Sequence, residues 1–108
     1  MDKWVLVVGT NCSDPAREKE YNDWYDKIHL PDVLEVKGFT GAARYENREP
    51  GEGQPKFLAL YEIETDNIED LMKRHSENIG KKKAQGRFSD LLQSVSRGIY
   101  RQTYSLRR

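Results

Sequence analysis

The chain has 108 residues, 36 % of them apolar and 33 % charged, which describes one domain (residues 1–108) with a modest core. Eighteen basic and eighteen acidic side chains cancel, so the basic excess of a nucleic-acid binder is absent. A single cysteine, Cys12, excludes an internal disulfide and a cysteine-based zinc cluster, and no apolar run approaches the ~20 residues of a membrane span.

The opening residues MDKWVLVVGTN read as a first strand rather than a leader, because the apolar run is only about five residues long and an acidic residue precedes its lysine. Cytoplasmic residence is the corresponding expectation. Trp4 to Val8 is continuous and β-branched-rich, as in a strand buried on both faces, and Gly9 ends it. Asn11 to Pro15 is turn chemistry, with Asp14 as N-cap and Pro15 at the first helical position. Tyr21, Trp24, Tyr25, Ile28 and Asp32 then return to one side at helical spacing, four of them apolar or aromatic. Pro31 disfavours helical geometry at Leu30 and is expected to end or kink this helix.

A second strand is expected over Gly38 to Tyr45, a hairpin loop over Glu49 to Pro55, and a central third strand over Phe57 to Ile63. Asp66, with Glu69 three residues on, resembles a capping box for a second helix whose apolar positions are Ile68, Leu71, Met72 and Ile79. Gly80 and Gly86 interrupt the stretch beyond Ile79, Phe88, Leu91, Leu92 and Val95 form a short apolar segment, and a last strand runs from about Gly98 to Leu106. The run Lys81–Lys83, with Arg87 near it, reads as a solvated face.

The order βαββαβ lays two helices on one face of a four-stranded antiparallel sheet, the α+β ferredoxin-like fold. Strands one and three look apolar on both sides and no third layer remains in the chain. A second copy is the economical cover, so a homodimer is expected.

The chemically informative residues lie between Glu20 and Tyr45. His29 is one of only two histidines and stands late in an aromatic helix beside Asn22, Asp23, Tyr25 and Asp26. An imidazole titrating near ~6.5 moves protons at neutral pH without a metal. Asp23 or Asp26 is placed to orient it, and Tyr25 to donate to a developing enolate oxygen. The same histidine could instead serve the helix end by bonding the last carbonyls. His75 falls on the apolar stripe of the second helix, where a packed histidine is the commoner outcome. Tyr45, Tyr61 and Tyr100 are further candidates to line a pocket, while Trp24 and Phe39 read as core. No metal-ligand spacing joins the histidines, and no glycine-rich phosphate loop follows a strand.

The pattern Asn22-Asp23-Trp24-Tyr25, His29-Leu30-Pro31, Gly38-Phe39 and Arg44-Tyr45 resembles the dimeric α/β-barrel superfamily, and within it the EthD-like branch. The resemblance implies paired ferredoxin-like sheets with a cleft between sheet and helices. It also implies a helix histidine, matching His29, as general acid/base with an acidic neighbour matching Asp23 or Asp26. The expectation is a cofactor-independent enzyme, with no metal, acting by dehydration, cyclisation, isomerisation or decarboxylation on a small apolar carbonyl-bearing, polyketide-like or aromatic substrate. Asn22, Tyr45, Tyr61, His75 and Tyr100 are the expected substrate contacts. A cofactor-free monooxygenase and a non-catalytic, stress-related ligand-binding barrel are the alternatives.

Overall fold

The computed structural model describes all 108 residues. The β-branched run near the N-terminus forms β1 (Asp2–Cys12), extending through residues expected to turn because both its edges are paired. β2 (Phe39–Glu46), β3 (Phe57–Thr65) and β4 (Leu92–Arg101) complete one antiparallel sheet in the order β2-β3-β1-β4. The two most apolar strands, β1 and β3, therefore occupy the centre, as their composition requires.

On the chain between β1 and β2, Asp14 accepts from the Ala16 N–H at 3.0 Å and Pro15 opens a 3₁₀ turn. α1 (Glu18–Trp24), a π turn (Tyr25–His29) and α2 (Leu30–Val33) then follow without a break. Pro31 thus does not end the helix, but the regular α geometry gives way to the π turn just before it. α3 (Ile68–Ala84) connects β3 to β4 and passes straight through Gly80. Its cap is Asn67 rather than Asp66: the Asn67 side chain accepts from the Asp70 N–H at 3.0 Å, while Asp66 is exposed. At its other end Gly86 adopts φ +73°, and the Gly86 and Arg87 N–H groups close on the Lys83 and Lys82 carbonyls, a Schellman ending. Lys82, read from sequence as solvated, is buried and ion-paired to Glu35 at 2.7 Å.

The last strand begins earlier than its sequence suggests and stops at Arg101, leaving Tyr104 and Leu106 exposed beyond it. A register shift between Gly9 and Thr10 displaces the alternation of β4 around Val95, which hides the strand period there.

The core lies between sheet and helices. Leu6, Phe57, Ala59, Tyr61 and Ile63 point into it from the sheet, and Tyr21, Tyr25, Val33 and Leu71 from the helices. The other face of the sheet carries Val5, Val7, Leu58 and Leu60, and no helix of the chain covers it. No helix is long and apolar enough to cross a membrane.

Gly38 lets β2 enter the sheet tightly beneath α3. Its φ is +113°, and a Cβ there would collide with Leu71 Cδ1. Gly38→Ala should therefore destabilise the fold by about 2–4 kcal/mol, combining backbone strain with overpacking. A urea titration read by tryptophan fluorescence measures this; an unchanged midpoint would refute it.

Candidate functional site between helices and sheet

A proline inside a helix lacks the N–H for the i→i−4 bond, and its ring crowds the carbonyl four residues back. Here the preceding segment widens instead: the Leu30 N–H reaches the Tyr25 carbonyl, five residues back. The extra residue in that turn sets the helical phase back. Ile28, expected on the apolar stripe, rotates out to 36 % exposure, and His29 rotates in to 8 %. Asp32 and Val33 are buried behind it.

The His29 ring is walled by aromatics. Trp24 stacks on it at 4.9 Å with 18° between planes, while Tyr25 and Phe88 meet it edge-on at 4.8 and 5.2 Å. Phe88 comes from the segment after α3, which two contacts hold down. The Trp24 indole N–H donates to the Arg87 carbonyl at 2.9 Å, and the Arg87 Nε and Nη2 donate to both oxygens of buried Asp32 at 2.8 and 3.0 Å. That pairing holds the Asp32 carboxyl below the usual carboxylate range.

Burial pushes the His29 pKa down to about 4, and the charge of nearby His75 adds to the effect. Asp32 opposes the shift, and Arg44 reinforces it. His75, on α3 against Phe39 at 5.3 Å, is likewise pushed down to about 4 by burial and then by Arg97; its buried Nδ1 has no partner. Both imidazoles are therefore neutral at pH 7, with a free lone pair rather than a charge.

Beside them lies a set of buried hydroxyls. Tyr25 and Tyr61 share a hydrogen bond at 3.2 Å, and Tyr21 shares one with Thr10 at 2.5 Å. Burial raises all three phenols, Tyr21 to about 12, so they remain protonated donors. Arg44 reaches over from β2, with its guanidinium 4.2 Å from the Tyr25 ring centroid. Its Nη1 donates to Asn22 Oδ1 and Asp26 Oδ1, both at 3.0 Å.

Tyr25, His29, Tyr61 and His75 thus belong to one helix–sheet layer, with Asn22 at its edge. The carboxylates do not fulfil the role expected of them. Asp23 faces solvent between Lys19 at 2.8 Å and Lys27 at 3.8 Å, and Asp26 is engaged by Arg44, so neither orients His29. In a helix rephased by the π turn, the acid whose charge reaches His29 is Asp32. Tyr45 and Tyr100 lie on the opposite face of the sheet, 55 % and 59 % exposed, beside Leu58 and Val5. There they line, with Lys3, Ala43 and Leu60, a groove of about 730 Å³ that His29 does not border. Two participants were not marked by sequence. Phe88 was read only as apolar, and Arg44 only as part of a pattern, although alternation along β2 sets Arg44 on the face opposite Tyr45. No three histidine, cysteine or acidic side chains converge to hold a metal ion.

The two buried histidines make stability sensitive to mild acid. The unfolded chain takes up protons near pH ~6.5 that the folded chain refuses until about 4, so their contribution is whole above that window and lost as pH falls through it. Stability in urea should drop by about 4–5 kcal/mol between pH 7 and pH 4.5. The double variant His29→Gln/His75→Gln should flatten that slope; a slope that persists would assign it to other groups.

The sequence matches no family model and no curated relative. Solved structures do match. SnoaB, a cofactor-independent oxygenase from Streptomyces nogalater, superposes with a TM-score of 0.70 over 100 % of both chains at 14 % identity. An ethyl tert-butyl ether degradation (EthD) family protein from Bacillus halodurans gives 0.56 over 92 % of this chain and 96 % of its own, also at 14 % identity. A dimeric ferredoxin-like protein from an uncultured marine organism gives 0.63 over 98 % and 100 % at 11 % identity. With its sheet order and two-layer packing, the chain has the ferredoxin-like fold, which it shares with these solved structures.

Proposed function

We propose that the protein is a cofactor-independent acid–base enzyme acting on a small, flat, mainly apolar molecule that bears a carbonyl or phenol. The observation that carries this reading is the neutral His29 imidazole enclosed by Trp24, Tyr25 and Phe88. In such a wall an aromatic substrate replaces ring–ring contacts rather than water. His29 takes the proton from the carbon next to the carbonyl, or from the phenol. The Tyr25–Tyr61 hydroxyl pair supplies donors for the oxygen on which charge develops. With Asp23 and Asp26 committed elsewhere, Asp32 offsets only part of the basicity that burial removes from the imidazole, which restricts it to acidic protons such as those of 1,3-dicarbonyls and polyhydroxylated rings.

The same abstraction prepares an electron-rich anion for dioxygen, and oxygenation is the second reading. The full-length likeness in fold to SnoaB favours it. Labelled dioxygen separates the two: incorporation into product, with no turnover under nitrogen, marks an oxygenase, whereas unlabelled product formed anaerobically marks elimination, cyclisation or decarboxylation.

In a panel of hydroxylated aromatic and polyketide-like compounds, His29→Gln should lower turnover by about 10²–10⁴-fold, the range for loss of a general base. Its melting temperature should stay within a few degrees of the parent. The parent's kcat/KM should be level from pH 8 to pH 5 and fall through about pH 4, because activity needs the neutral imidazole. A fall centred near the ordinary ~6.5 would place a different group in the role.

We further infer that the protein is a cytoplasmic homodimer whose copies pair through the helix-free sheet face, where Val5, Val7 and Leu60 would otherwise meet water. Leu60→Glu should yield a monomer by light scattering after size-exclusion chromatography. A dimer of unchanged mass would put the contact elsewhere.

A further inference from the structure

The least accounted-for group in the helix–sheet layer is the guanidinium of Arg44. Its side chain is 12 % exposed, and its Nε and Nη2 are both buried without any hydrogen-bond acceptor. Arginine cannot shed its charge, so these donors cannot be made harmless by deprotonation. Stacking on the Tyr25 ring offsets part of the cost, and Asn22 with Asp26 satisfies Nη1. Neither contact provides an oxygen for the other edge.

That edge has a specific geometry. Nε–H and one Nη2–H lie parallel, spaced to hold the two oxygens of one carboxylate. The molecule uses this fork twice. Arg87 Nε and Nη2 hold the two oxygens of Asp32 at 2.8 and 3.0 Å, and Arg17 Nε and Nη2 hold those of Glu20 at 3.1 and 2.6 Å. Arg44 presents the same fork, and no carboxylate of the chain meets it.

The surroundings suit a ligand better than another side chain. Across the sheet from Arg44 is Ala59, and two residues before it on the same face is Ala42, both small. β2 is an edge strand, so Arg44 stands at the side of the sheet, with Asp26 beside it. The charge of Arg44 is felt by Tyr25, Tyr61 and His29, the groups already assigned to the proposed chemistry.

We propose that the Nε–Nη2 edge of Arg44 binds a carboxylate carried by the substrate, making the preferred ligand an aromatic carboxylic acid whose ring lies toward Tyr25 and His29. The assignment rests on the proposed substrate pocket and extends it by naming the anionic end of the molecule. Arg44 is then the anchor that orients the substrate, while the proton transfer belongs to His29.

Calorimetric titration of the full chain with 2-naphthoate and with 2-naphthamide tests it, since the two probes share a ring and differ in charge. The acid should bind about 10- to 100-fold more tightly than the amide, the value of a bidentate charge-assisted contact over neutral ones. Arg44→Gln should bring the acid to the level of the amide, and Arg44→Lys, which keeps the charge but not the fork, should lose most of the preference with a near-parental melting temperature. His29→Gln should keep the preference intact. Equal affinity of acid and amide for the parent, failure of both to bind, or an undiminished preference in Arg44→Lys would each overturn the proposal. A preserved acid preference alongside full turnover in His29→Gln would sink the acid–base reading and leave the Arg44 site standing.

Discussion

The architecture of the site depends on how one helix gets past Pro31. A regular α-helix at that point would lose a backbone bond and push the proline ring against the Lys27 carbonyl. The π turn from Tyr25 to His29 absorbs the conflict within the helix, and the segment continues to Val33. The consequence is rotational. Before the turn, Tyr21 and Tyr25 face the sheet; after it, His29, Asp32 and Val33 do, and Ile28 is the residue displaced toward water. On that face Asp32 meets Arg87, and the pair tethers the segment carrying Phe88.

Electrostatics in this small core works by pairing at fixed points. The overall charge is zero, yet Asp32 and Lys82 are both buried, each with a partner from a different part of the chain: Arg87 for the first, Glu35 for the second. A buried ion pair of this kind seldom adds much net stability, because desolvation consumes most of the Coulombic gain. It does penalise any arrangement that separates the partners. Both pairs join the α1–α2 segment and the turn following it to α3 and its C-terminal end, so they fix how the two helices lie side by side. The histidines between them are left neutral, which keeps like charges from accumulating in one layer.

Much of the fold was legible in the sequence. The β3 run, with Phe57, Ala59, Tyr61 and Ile63 alternating against Leu58, Leu60, Glu62 and Glu64, defines its own two faces and begins where expected. The order of elements followed from such runs, and so did the need to cover a second face. Errors arose where a local rule met a neighbour's demand. Asp66 and Asn67 are both capable caps, and the Thr65–Asn67 turn, with Asn67 N–H on Thr65 Oγ1 at 3.1 Å, selects the second. Phe88, Leu91, Leu92 and Val95 read as one short apolar segment, but only from Leu92 on does it pair with β1, around a register shift that throws Val95 out of step. Of the site, His29 was found from its company of aromatics. Its supposed acidic partners, Asp23 and Asp26, are engaged by Lys19, Lys27 and Arg44, and the nearby acid one turn later, Asp32, was read as part of the stripe rather than as a neighbour of His29. Tyr45 and Tyr100 line a groove on the face away from His29, which strand composition does not tell, because it does not say which face holds the helices.

The two faces of the sheet divide the work of the domain. On the helix-free face, Val7 and Leu60 are directly opposed across β1 and β3, apolar side chains that no helix of the chain covers. On the helix face the packing residues are large, aromatic and hydroxylated, and three of them, Tyr21, Tyr25 and Tyr61, bring polar atoms into the core that must find partners there. A core built only for stability would use aliphatic side chains at these positions and avoid the desolvation of the hydroxyls. Arginine at position 44 makes the contrast sharper, since a buried guanidinium with an unused fork costs more than any phenol. Stability alone gives no reason to place a fixed cation, protonated phenols and neutral imidazoles in one layer. The proposed recognition of, and proton transfer on, a small anionic ring compound uses all three.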